Sequence, residues 1–141
     1  FGRIAIRSAY RSREVNDLGN AEGHNCGSSD SNRAAHIWDE RDANGHMGAM
    51  ACIVVPWFLD QRQPGDWPAM AYWIHNHLPY SSLTFFSKLG AFNIGWHEKP
   101  QRSIHSYAAP KGKLLADGLP PDQALAEHYQ GFPALRRSVA D

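Results

Sequence analysis

The sequence predicts an α+β fold: a small, mostly antiparallel sheet with helices packed on one side. Three observations carry this expectation. Ile53-Val54-Val55 is a run of β-branched residues closed by Pro56, the pattern of a buried strand. Ile4 to Ser8 and Ala91 to His97 alternate apolar and polar residues, as strands with one buried face do. Met70, Trp73, Ile74, His77 and Leu78 recur at helical spacing, as one apolar helix face does.

The elements follow in order. Ile4 to Ser8 is the first strand, and Ala9 to Ser12 turns out of it. Ser12 caps a short helix that runs through Leu18, with Glu14 in its first turn and Gly19 as the stop. Asn20 to Ser31 is rich in Gly, Asn and Ser and reads as loop. Asp30 or Ser31 caps a helix from Asn32 to about Asp42, with Ala34, Ile37 and Trp38 on one face. Ala43-Asn44-Gly45 ends it and leads into the central strand. Trp57 to Pro68 is a loop with Pro64-Gly65 at its turn. Asp66 starts the next helix, with Pro68 in its first turn, where a missing N–H costs nothing. On that helix His77 is expected buried or at an edge and His75 exposed, because residues two apart point away from each other. Pro79 ends it. Leu83 to Phe86, Ala91 to His97 and Arg102 to Tyr107 are further strands. From Ala108 the chain is looser, with a short helix around Asp122 to Gln130 closed by Gly131.

The chain has 141 residues, enough for one domain spanning 1–141, with its core over about 4–107. Fourteen basic and fourteen acidic residues give a formal charge of zero. A phosphate backbone needs a basic field, so nucleic acid is not an expected partner. No apolar run approaches the ~18 residues of a membrane span. Two cysteines, Cys26 and Cys52, are too few for a disulfide scaffold and lack CxxC spacing. The start at Phe1 reads as a processed or trimmed product, which leaves the compartment open. Eight histidines are many for this length and hint at metal chemistry.

Several histidines stand where a site could form. His46 immediately precedes the central strand, a rigid support, and Cys52 lies inside that strand; together they offer a nitrogen and a sulfur ligand. On the strand Ala91 to His97, Phe92, Ile94 and Trp96 point to one face, and Asn93, Gly95 and His97 to the other. His97 thus stands on a polar face with Glu98 next to it. His36 and Asp39, three apart on a helix, are a second pair able to hold a cation. His24 and Cys26 lie in the loop and could join a metal.

The segment IRSAYRSREVN, Ile6 to Asn16, resembles the opening motif of the M15-type zinc peptidases, the group of D-Ala-D-Ala carboxypeptidases, phage endolysins and the hedgehog-like fold. Ala9 stands where the family has glycine. Arg11 falls on the arginine that faces the substrate in the family and steadies developing negative charge, a role suited to a permanently charged fork of donors. GHMGAMACIVVP resembles the family's S-x-H-x-x-G-x-A-x-D motif with one residue missing after Met47. His46 then matches the ligand histidine, Gly48 the glycine, and Cys52 the aspartate. FNIGWHE, Phe92 to Glu98, resembles the third motif, with His97 as third ligand. Ile94 stands where the family's catalytic acid would be.

The resemblance covers about residues 4 to 107. It implies Zn²⁺ held by His46, Cys52 and His97, with Arg11 and Glu98 as the catalytic candidates. A rival register uses His36 with Asp39 or Asp42 as ligands. It further implies a cell-wall peptidase acting on peptidoglycan peptides, in a cell-wall, extracellular or virion-associated setting. The alternative it implies is a non-catalytic structural or binding module that keeps the peptidase fold and packs against other virion proteins.

Overall fold

Six strands form one sheet: β1 (Ala5–Ser8), β2 (Gly48–Val54), β3 (Ser82–Phe85), β4 (Phe92–His97), β5 (Ser103–Ser106) and β6 (Gly112–Leu115). Their spatial order is β1-β2-β4-β3-β5-β6. All neighbours are antiparallel except β3 and β5, so the sheet is mixed. Among the described residues four α-helices accompany it: α1 (Arg13–Ala21), α2 (Asp30–His36), α3 (Pro56–Gln61) and α4 (Trp67–His77), followed by a 3₁₀ helix at Gln123–Tyr129. These elements are those of a computed structural model, which describes residues 1–24, 26, 30–63, 65–88, 90–115 and 119–134, and only the backbone of 30–32. The Pro64-Gly65 turn and the side chains expected to cap α2 fall outside the described residues in whole or part.

The three runs expected to share a sheet do so, as β1, β2 and β4. Their register sorts the side chains onto two faces. Ile53 opposes Phe92 and Ala51 opposes Ile94, while Leu83 and Phe85 of β3 oppose Ile94 and Phe92. Directly opposed residues share a face. This face meets Met70, Trp73 and Ile74 of α4 in the apolar core, where Phe85 stacks on Phe92 with ring centroids 4.8 Å apart. The other face carries Gly48, Met50, Cys52, Asn93, Gly95 and His97. There α2 comes close: a Cβ on Gly48 would lie 3.7 Å from the Ala35 Cα. Helices therefore lie against both faces, which corrects the expectation of one side only.

Several boundaries also differ. The helix expected to reach Asp42 stops at His36, and the chain turns there, with the Arg11 N–H donating to the His36 carbonyl at 2.9 Å. Pro56 does not merely close a strand; it opens α3, where proline suits the first turn, inside a stretch expected to be loop. The stretch after Ala108 contributes β6, and Tyr129 and Phe132 pack against the core. That packing reverses the two histidines of α4. His75 is 1% exposed, held at Nε2 by the Pro120 carbonyl, while His77 is only half-buried. Helical periodicity could not show that a distant segment covers the second side of α4. β1 buries neither face, against the expectation of one buried face.

Candidate functional site

The site grows from a turn. Asp42-Ala43-Asn44-Gly45-His46 folds back on itself, and Gly45 takes a φ of +81°, a conformation glycine adopts without strain. The Asp42 Oδ1 accepts hydrogen bonds from the Asn44 N–H at 2.9 Å and the His46 N–H at 3.0 Å. The Asp42 N–H donates to the His46 carbonyl at 2.9 Å. Such an Asx turn anchors one carboxylate oxygen and leaves the other pointing away. That second oxygen, Oδ2, lies 3.1 Å from His97 Nε2. The His46 Nδ1 is 3.8 Å from Oδ1, and the two imidazole centroids are 5.7 Å apart. The backbone N–H of His46, and then the His97 ring and the Asn44 N–H, hold the Asp42 carboxyl below the usual carboxylate range, against the opposing effect of burial.

β2 and β4 set the position of the second imidazole. Gly48 opposes His97 across the ladder. A Cβ at Gly48 would sit 3.3 Å from the His97 Cδ2, so glycine there leaves room for the ring. The His97 Nδ1 lies 3.0 Å from both the N–H and the carbonyl of Lys99. It can accept from the first or donate to the second, so either ring tautomer is held in one orientation. Asp42, His46 and His97 line a cleft of about 890 Å³, along with Ser82, Lys99 and Gln101.

The donor set suits zinc. Two imidazoles and one carboxylate are the three protein ligands of a common catalytic zinc site. Metal–ligand bonds of roughly 2.0–2.1 Å place tetrahedral ligands about 3.3 Å apart; the 3.1 Å between His97 Nε2 and Asp42 Oδ2 is close to that value, whereas the 3.8 Å from His46 Nδ1 is to the other carboxylate oxygen. Among the described residues, however, no group of three His, Cys, Asp or Glu side chains is placed to hold a metal ion. Asp42 instead sits between the two imidazoles in an open chain that a cation would have to draw together.

The remaining expected residues lie elsewhere. Cys52 opposes Asn93, four residues along the ladder from the Gly48–His97 pair. At ~3.3 Å per residue that is about 13 Å, too far to share an ion with His97. Burial also raises the Cys52 thiol, which disfavours the thiolate a metal needs. Glu98 turns outward: its Oε2 accepts from the Met47 N–H at 2.8 Å and pairs with Arg41 at 3.5 Å. It pins the start of β2 to the end of β4. Arg11 donates to Asn16 at 3.4 Å and is not among the residues lining the cleft. In the rival register His36 is buried, its imidazole pushed down by burial and then by the Arg11 charge. Asp39 hydrogen-bonds Tyr10 instead of joining it. Asp42 does join the site, but with His46 rather than His36. The signal for this lay in the sequence: an aspartate four residues before a histidine, with Asn-Gly between, is an Asx-turn pattern. Comparison with family models, curated proteins and solved structures finds no match to this chain.

Proposed function

We propose that this chain is a zinc-dependent hydrolase domain of the M15 type that its motifs resemble, acting weakly on cell-wall peptides ending in D-Ala-D-Ala. The observation supporting this reading is Asp42 standing between His46 and His97 on the wall of the 890 Å³ cleft. Asp42, His46 and His97 would hold the zinc, which would supply Lewis acidity there. The protein's own part is orientation. The Lys99 carbonyl takes the His97 Nδ1–H when Nε2 serves as ligand, and the Asx turn aims Asp42. Ser82, Lys99 and Gln101 offer a peptide polar partners along the cleft.

A second reading, the non-catalytic module, has its own support. Asp42 is the one carboxylate among the described residues lining the cleft, and as a ligand it cannot also serve freely as proton acceptor. General-base catalysis is commonly worth about 10²–10⁴-fold. The test is turnover of a D-Ala-D-Ala-terminated peptide by the zinc-loaded protein and by His97→Ala. Slow turnover lost in His97→Ala supports the hydrolase. Zinc binding without turnover supports the module, and failure to bind zinc overturns the metal-site reading.

A further inference from the structure

The sheet ends on an unusual strand. β1 is its outermost member, and among the described residues no strand pairs with its outer edge. An open edge presents a row of backbone N–H and C=O groups ready to pair. On β1 that row is flanked by apolar side chains in water: Ile4 is 55% and Ile6 70% exposed. Ile6 opposes Ile53 on the core side of the sheet, so its exposed surface continues the apolar face of the sheet at the edge. Arg3 and Arg7 bracket this stretch, both exposed, and neither forms an ion pair among the described residues.

We propose that the outer edge of β1 binds an extended peptide of alternating acidic and apolar residues, which joins the sheet as a seventh strand. Main-chain hydrogen bonds would carry the affinity, and alternate side chains the selectivity. Arg3 and Arg7 are four apart, so acidic side chains four apart on a paired strand would stand opposite them. The apolar residues between would cover Ile4 and Ile6. Charge disfavours a second copy of this chain as the occupant. Pairing β1 with itself crowds four guanidinium groups along one short seam, and like charges opposite each other destabilise a strand pair. Short length, charged side chains and the bulge between Ile6 and Ser8 are also devices that guard an edge against aggregation. Guarding accounts for the arginines and the bulge; it does not account for two isoleucines left in water.

The probe is an acetylated and amidated peptide Asp-Val-Asp-Val-Asp, titrated into the isotope-labelled full chain while backbone amide shifts are followed. The expected result is saturable shifts confined to residues 4–8 and their β2 partners. Arg3→Glu with Arg7→Glu should weaken binding at least tenfold, and so should raising salt from about 0.05 M to about 0.5 M, where exposed charges are screened. Both arginines are exposed, so the variant should keep its melting temperature, which is measured alongside. A peptide N-methylated on alternate amides, tested on the unaltered protein, should not bind if main-chain pairing is the mode. Binding that survives N-methylation overturns the proposal. So does no binding at millimolar peptide, which leaves a merely guarded edge. A dimer in sedimentation whose concentration-dependent amide shifts fall on residues 4–8 also overturns it, in favour of a second copy.

Discussion

Asp42 and His97, 55 residues apart in the chain, meet at 3.1 Å between the carboxylate Oδ2 and the imidazole Nε2. The contact joins a tight turn to the end of a sheet strand, and it brings His46 with it. Cys52, expected as the partner of the two histidines, is out of reach, and Asp42, weighed only beside His36, is the residue that meets them.

Zinc binding should therefore depend on Asp42 and not on Cys52. Asp42→Asn keeps an oxygen to accept from the Asn44 and His46 N–H groups, so the turn survives while the charge is lost. Zinc affinity, measured by calorimetry, is expected to fall at least tenfold in Asp42→Asn and to stay unchanged in Cys52→Ser. The reverse result would restore the sulfur ligand.

Glu98 should matter to stability rather than to the metal. Its carboxylate holds the Met47 N–H and Arg41. Glu98→Ala is expected to lose about 0.5–1.5 kcal/mol, the usual net worth of one such hydrogen bond, and to leave zinc affinity as it was. Chemical denaturation and calorimetry read the two effects separately.

The two ends of the burial range give a further contrast. Phe92 is 2% exposed and stacks on Phe85. Phe92→Ala should cost about 3–5 kcal/mol through lost burial and the cavity left behind. Ile6→Ala, at the open edge, should fall within about 0.5 kcal/mol of wild type. Urea midpoints check both, and a large loss at Ile6 would mean that β1 is covered.

Stability should decline on mild acidification. Burial lowers the His75 imidazole, outweighing the Pro120 carbonyl, which favours the charged form. His36 is lowered too, by burial and then by Arg11. The unfolded chain takes up these protons near pH ~6.5, the folded chain only at lower pH. Their contribution is thus complete above that value and is lost as pH falls through the folded pKa values. Asp42 is also lowered, so it has the same sign, but its window lies below about pH 4. The urea midpoint should drop between about pH 7.5 and about pH 5.5. His75→Gln should flatten that slope, and an unchanged slope would remove His75 from the account.

The sequence by itself determined the local pieces. β-branched runs and alternation located β1, β2 and β4, because side-chain period follows directly from backbone geometry. Apolar spacing located α4. The nearness of His46 to His97 was legible because each stands at the end of a strand in that set. What tertiary structure alone decided is which residues meet across the chain. Cys52 and His97 share a face of the sheet, yet the ladder register sets them about 13 Å apart; register is a property of two strands together. Asp42 reaches His97 only because a helix stops at His36 and its chain turns back, in competition with a helical pattern that ran on to Asp42. His75 is buried because a segment from the far end of the chain lies over it, and no periodicity within α4 encodes that cover. Local period is written in neighbouring residues, whereas register, cover and convergence depend on contacts between residues far apart in the chain.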